Sequence, residues 1–212
     1  MYEVNAEIAQ KVIDAVRPGL VKGMGEPIPG QMCVEAAVCF AYGLPHSDEP
    51  PCVGRYVRSL KIHLNDSKWS SNKSRAKGML RLSVAQLGSD QIDQIEFRKL
   101  VQKMTIQKFL PLILRHVGLN AEADRCEAEG TAKSAYAAYN AARDAAGYAY
   151  NAANTAGYNA AYYAARDDVH AAAINHIASE FGEHILHDFA EEVVQILISM
   201  KSPGCEYLYL TE

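Results

Sequence analysis

Apolar residues recur along this chain at the spacing of helices. In residues 5–17 they are Ile8, Val12, Ile13 and Val16, which fall on one helical face. Asn5 stands where an N-cap belongs, and Pro18-Gly19 ends the segment. Residues 18–30 hold four Gly and three Pro and read as a loop. The stretch QMCVEAAVCFAYG, residues 31–43, is apolar nearly all round, the pattern of a buried helix that stops at Gly43. Residues 53–65 place Val53, Tyr56, Val57, Leu60 and Leu64 on one face. A helix over 72–87 follows, closed by Gly88. Ser89-Asp90 is expected to cap the next helix, with Ile92, Ile95, Leu100, Val101 and Met104 inward. Residues 105–117 continue as helix, and Pro111 must start, bend or break it. Asn120 is expected to cap a helix that runs through Cys126 to Gly130. Near the C-terminus, 179–200 carries the stripe Phe189, Val193, Ile196, Leu197 and Met200, ended by Pro203-Gly204. The tail CEYLYLTE alternates Tyr and Leu and is expected to be extended, with no second strand to pair it. The chain therefore reads as all-α, an irregular bundle of roughly seven to ten helices.

Residues 131–173 break from this pattern. Nineteen of these 43 residues are Ala and seven are Tyr, and from Thr131 to Asp168 there is no Val, Ile, Leu, Met, Phe or Trp. Ala loses no side-chain entropy in a helix, so the stretch is helical by propensity. YNAARDAAGYA at 139–149 is followed by YNAANTAGYNA at 150–160, an 11-residue repeat close to three turns of straight helix. One unbroken rod over 131–173 would be about 64 Å long. A break near Gly147 or Gly157, giving a closely packed antiparallel pair, is the expectation. Small side chains let another backbone approach closely, and Tyr is expected to supply bulk with its hydroxyl at the wet edge.

Composition adds a class. Apolar residues make up 49% and charged ones 22%, with a net charge of −4, which is ordinary for a globular chain and gives no overall bias toward nucleic acid. The N-terminus MYEVNAEIAQKV has neither a basic nor an apolar export region, and five Cys without regular spacing fit reduced thiols, so the expectation is cytoplasmic. No apolar run is long enough for a membrane span. Charge is partitioned. Residues 53–81 hold eight Lys/Arg against Asp66, whereas 120–212 hold 14 acids against five bases. The division expected on this basis is 1–119, a helical region with the basic block, and 120–212, the Ala/Tyr array with an acidic C-terminal helix, together forming one compact unit.

Four groups are candidates for chemistry. The basic block Arg55, Arg58, Lys61, Lys68, Lys73, Arg75, Lys77 and Arg81, with Tyr56 and Trp69, would suit a phosphate backbone with stacked bases. Solvated helix faces, or a surface docked on the acidic half, are its plain alternative. Cys33, Glu35, Cys39, His46 and Cys52 are types that bind zinc, but their spacings match no standard pair, and buried Cys serves as a small hydrophobe. Glu180, His184, His187 and Glu191 share a helical face, and Asp167 and His170 are three apart, yet a polar surface accounts for them. Neither a cofactor nor a metal is therefore expected, and no catalytic residue is assigned; a metal-dependent enzyme using these groups is kept as an alternative. The leading expectation is a non-catalytic interaction module that binds a protein partner or a second copy. Tyr148, Tyr158 and Tyr162 would be its aromatic anchors, and Glu183, Asp188, Glu191 and Glu192 would face a basic partner. Nucleic-acid binding through 53–81 is the alternative.

Two passages, MCVEAAVCFAYGLPHSDEPPCV at 32–53 and LNDSKWSSNKSRAKGMLRL at 64–82, precede the Ala-rich array and a closing EEVVQILISMKSPG. In this layout the chain resembles uncharacterised bacterial alanine-rich helical proteins, some of them grouped with putative immunity proteins of toxin systems. The resemblance implies a helical interaction protein of defence-associated type and carries no catalytic motif.

Overall fold

The structure is a computed structural model and describes residues 2–146, 152–164, 166 and 170–212. Among the described residues there are 11 α-helices and no strand beyond an isolated bridge between Gly25 and Met32. The all-α expectation holds. Contacts divide the chain into two units, residues 1–97 with 187–212 and residues 98–186, rather than at 119/120.

In the first unit, α1 (Ala6–Val16) begins where the Asn5 side chain accepts the Ile8 N–H, and it buries Ala9, Val12, Ile13, Ala15 and Val16. α2 (Val34–Ala41) is capped by Cys33, whose Sγ accepts the Ala36 N–H at 3.4 Å, and it buries every residue except Phe40. α3 (Arg55–Asn65) and α4 (Asn72–Ala85) follow, the latter capped by Ser71. Gly78 of α4 lies against the six-membered ring of Trp69, where a methyl group would not fit. The fully buried Phe189, Val193, Val194 and Leu197 come from α11 (His184–Ser199).

The tail does not extend. It forms a 3-10 helix over Pro203–Thr211 that packs on α4 and α1. Gly204 donates its N–H to Leu87 O at 2.7 Å, the Ser202 hydroxyl donates to Ala85 O at 2.9 Å, and the Tyr207 hydroxyl donates to Val4 O at 3.2 Å. These bonds satisfy the tail's polar groups without a partner strand.

Two caps also differ from expectation. Ser89–Gln91 is a short 3-10 turn, and Asp93 caps α5 (Gln94–Met104), its carboxylate accepting the N–H groups of Ile95 and Glu96. This register turns Phe97, Val101 and Met104 inward and leaves Ile95 exposed.

In the second unit the helix continues past Met104 as a π-turn, Thr105–Phe109, into α6 (Leu110–His116). Pro111 sits in the first turn of α6, directly after the π-turn. Asn120 is the first residue of α7 (Asn120–Glu129) and makes no capping bond, while Leu119 precedes it and Gly130 ends the helix in the left-handed conformation. The array forms α8 (Ala132–Ala146) and α9 (Ala152–Ala164), then α10 (His170–Phe181). Gly182, at φ 99°, separates α10 from α11, so 179–200 is not one helix.

α9 lies against α8, α10 and α6. Its Ala156, Ala160, Ala161 and Ala164 are buried, as are Ala135, Ala138 and Ala142 of α8. Among the described residues, the bulk that fills this core comes from Phe109, Leu110, Ile113 and Leu114 on one side and Ile174 and Ile177 on another, while Tyr136 is exposed and Tyr139, Tyr162 and Tyr163 are half-buried. Gly157 is buried inside α9, so the helix does not break there; Gly147 lies outside the described residues.

Candidate functional site

Tyr136, Tyr139, Tyr162 and Tyr163 form a connected set of rings with His176. Tyr136 and Tyr139 are one turn apart on α8 and stack at 5.5 Å with 28° between planes. Tyr139 meets Tyr162 of α9 at 5.5 Å, Tyr162 meets Tyr163 edge-on at 5.2 Å, and Tyr163 stacks on His176 of α10 at 5.5 Å and 5°. These five rings run across three helices. Tyr136 is 56% exposed, and Tyr139, Tyr162, Tyr163 and His176 are half-buried.

Two cations border the rings. Arg143 lies 5.8 Å from the Tyr139 centroid, and Arg166 lies 5.5 Å from that of Tyr162 and donates to its hydroxyl at 2.9 Å. Arg143 also contacts Asp144 at 3.4 Å. Burial holds His176 below the usual imidazole pKa, which favours the neutral ring that stacks on Tyr163.

Of the three Tyr singled out from the sequence, Tyr162 belongs to this ladder. Tyr148 and the side chain of Tyr158 lie outside the described residues. Tyr136, Tyr139 and Tyr163 were missed. The signal for Tyr136 and Tyr139 was their spacing of three, and nothing local marks which Tyr of α9 faces them. Among the acidic candidates, Glu191 accepts a bond from Arg81 at 3.0 Å, Asp188 is exposed beside His187, and Glu183 and Glu192 are half-buried.

The basic block is largely used internally. Lys61 is fully buried. Arg75 is buried and donates to Asn65 O, Leu20 O and the Asn72 side chain at 2.7–2.9 Å, tying together the loop after α1, the end of α3 and the start of α4. Arg58 pairs with Glu49 at 2.8 Å and Arg81 with Glu191. Trp69 is buried, and its indole N–H donates to Leu64 O at 2.9 Å, so its ring does not offer a face to bases. Arg55, Lys68, Lys73 and Lys77 are exposed, with Arg55 over the half-buried Tyr56 ring.

Among the described residues, no three His, Cys, Asp or Glu side chains lie close enough to share a metal ion. Asp167 and the side chain of His170 lie outside that set. Cys33, Cys39, Cys52 and Cys126 are buried, and burial raises every thiol pKa, to about 11 for Cys39, Cys126 and the half-buried Cys205. Thiols so held are largely protonated at neutral pH and poor nucleophiles.

What the sequence did not disclose is that Glu35 of α2 and Lys61 of α3 meet inside the first unit. Both are 0% exposed, and Glu35 Oε1 lies 3.3 Å from Lys61 Nζ without hydrogen-bond alignment. Burial raises the Glu35 pKa and lowers that of Lys61, and their mutual attraction offsets this only in part. Glu35 also lines a cavity of about 40 Å³ with Cys33, Asp48, Asn65 and Asp66.

Comparison with known proteins finds no matching family model, no matching curated protein and no matching solved structure.

Proposed function

We propose that this chain is a protein–protein interaction module that acts by stoichiometric binding, with the Tyr ladder of α8, α9 and α10 as its contact face. The observation that carries the reading is the run of five touching rings from Tyr136 to His176, open to solvent at Tyr136 and edged by Arg143 and Arg166. Tyr and Arg dominate binding hot spots because they bury much area and keep a polar end for the rim. Rings already held against each other lose little freedom on docking, so less of the contact energy is spent on ordering them. The resemblance in layout to bacterial alanine-rich helical proteins, some of them grouped with putative immunity proteins of toxin systems, is the ground for a sequestering role of defence type, with a protein toxin or a second copy as the bound species.

The test compares wild type with Tyr136→Ser/Tyr163→Ser. Both proteins are immobilised in native-host extract, and bound protein is quantified and its stoichiometry measured after co-purification; light scattering of each protein alone reports self-association. The expected result is one saturable partner at a fixed ratio, or a wild-type dimer, lost in the double variant while its circular dichroism is unchanged. Equal binding by a folded double variant would reject the ladder as the contact face.

A further inference from the structure

We propose that the Tyr ladder of α8, α9 and α10 binds a proline-rich segment in the polyproline II conformation, an inference that rests on the ladder being the contact face. The rings do not form an open platform. Tyr136 and Tyr139 stack with 28° between planes, and Tyr163 and His176 with 5°, so each pair covers a ring face of both members. Tyr162 bridges the two pairs, tilted 45° to Tyr139 and edge-on to Tyr163 at 74°. The result is a ridged strip rather than a plane. A flat base or sugar ring stacks best on an open, parallel ring face. A ridged strip suits a ligand with ridges and grooves of its own.

Polarity narrows the ligand further. Arg166 Nη1 donates to the Tyr162 hydroxyl at 2.9 Å. A phenol oxygen that accepts a bond still has its own O–H to give, and the bond it accepts polarises it into a stronger donor. Arg143 flanks the Tyr139 ring at 5.8 Å, and aromatic edges are themselves electropositive. The strip therefore attracts acceptor oxygens. Formal charge nevertheless balances, since residues 131–176 hold Lys133, Arg143 and Arg166 against Asp144, Asp167 and Asp168. A polyanion needs a cationic track, which this balance does not supply. The ligand that fits is neutral, apolar and rich in acceptors.

A polyproline II segment has that chemistry. Its carbonyls make no internal hydrogen bonds, and proline has no N–H to compete for them. Its pyrrolidine rings supply the apolar ridges. One turn advances about 9.3 Å, and two ring-to-ring steps of 5.2–5.5 Å reach no farther than about 11 Å, so successive turns meet alternate rings. Both surfaces are stiff before they meet. Proline fixes φ, and the rings already hold one another, so little freedom is lost on docking. Aromatic strips that take such segments are a recurring mode of peptide recognition.

The experiment titrates the full chain with acetylated, amidated octaproline, about 25 Å long in this conformation, by calorimetry and amide NMR. Saturable binding with a Kd below about 1 mM is expected, with shifts at the Tyr136, Tyr139, Arg143, Tyr162 and His176 amides. A glycine–serine peptide of equal length is expected to give neither. Tyr162→Phe keeps the ring and removes the donor, so affinity should fall about three- to tenfold, the worth of one hydrogen bond. Tyr209→Phe, in the exposed tail, should change nothing, and circular dichroism checks that both variants fold. No saturation by octaproline, equal binding of the glycine–serine peptide, or unchanged affinity in Tyr162→Phe would each overturn the proposal. Tighter binding of cellohexaose or of a thymidine oligonucleotide would also overturn it, reassigning the strip to a sugar or to single-stranded nucleic acid. Capture of a host partner through the ladder without octaproline binding would reject the proline-rich ligand and leave the contact face standing.

Discussion

Lys61 occupies a core position by spacing. Val57, Leu60, Lys61 and Leu64 stand at the intervals of one buried helical stripe, and all four are buried. Reading charge before position put Lys61 in a phosphate-binding set. The same holds for Arg75, which shares a face with Met79 and Leu82. Because the Lys61 partner is 26 positions away on another helix, no local pattern discloses Glu35. Removing one member of a buried pair typically costs about 3–5 kcal/mol, so Lys61→Met should destabilise by that order at neutral pH in urea unfolding.

The pH dependence follows from the signs. The raised Glu35 pKa means that its burial costs nothing below its ordinary value of 4.5 and progressively more as pH rises through the folded value. The lowered Lys61 pKa means that its burial costs nothing above 10.5 and more as pH falls through its own folded value. The Lys61→Met penalty should therefore shrink on acidification toward pH 4.5, and Glu35→Leu/Lys61→Met should recover most of the lost stability. A Lys61→Met penalty that grows on acidification would contradict this assignment. Burial of the thiols gives another check at this scale. Native protein should alkylate slowly at neutral pH, and urea should expose all five Cys.

At the scale of elements, helix periodicity was legible almost everywhere because each helix buries one continuous stripe. The Asn5 cap and the Pro18-Gly19 stop act through residues within three positions of one another, so they could be read. The tail could not. Alternating Tyr and Leu suits a strand, but tertiary bonds to α4 and α1 wind it as 3-10 helix. The Ala face of residues 131–173 was legible as close packing, whereas the ladder depends on how α8, α9 and α10 align across space.

Gly157 is the informative residue in that packing. A Cβ placed there would meet Val117 at 3.4 Å, an ordinary contact, inside a regular helix. Gly157→Ala should accordingly stabilise by about 0.4–1 kcal/mol and raise Tm by a few degrees. Gly78→Ala should do the opposite. Its methyl group would strike the buried Trp69 ring, and a cost of about 1–3 kcal/mol is expected in the same thermal scan.

For the whole molecule, the charge partition seen in the sequence is real but partly spent. Arg58 and Arg81 are paired, Lys61 and Arg75 are inside, and only Arg55, Lys68, Lys73 and Lys77 of the eight cations in 53–81 are exposed. A mobility-shift assay should thus find no binding tighter than the non-specific range of about 10⁻⁴–10⁻⁶ M, with no loss on changing Tyr56. A tight complex weakened by Tyr56→Ala would restore the nucleic-acid reading. The two units mix distant sequence, since residues 187–212 join 1–97, and a boundary drawn from composition at 119/120 follows amino-acid usage rather than contacts.

The most direct test of the proposed contact face is a photo-crosslinking residue placed at position 136 in the native host, with position 209, 60% exposed in the tail, as reference. One protein adduct is expected from position 136, competed away by untagged wild type, and no such adduct from position 209. Adducts of equal yield and identity from both positions, or from 209 alone, would contradict it.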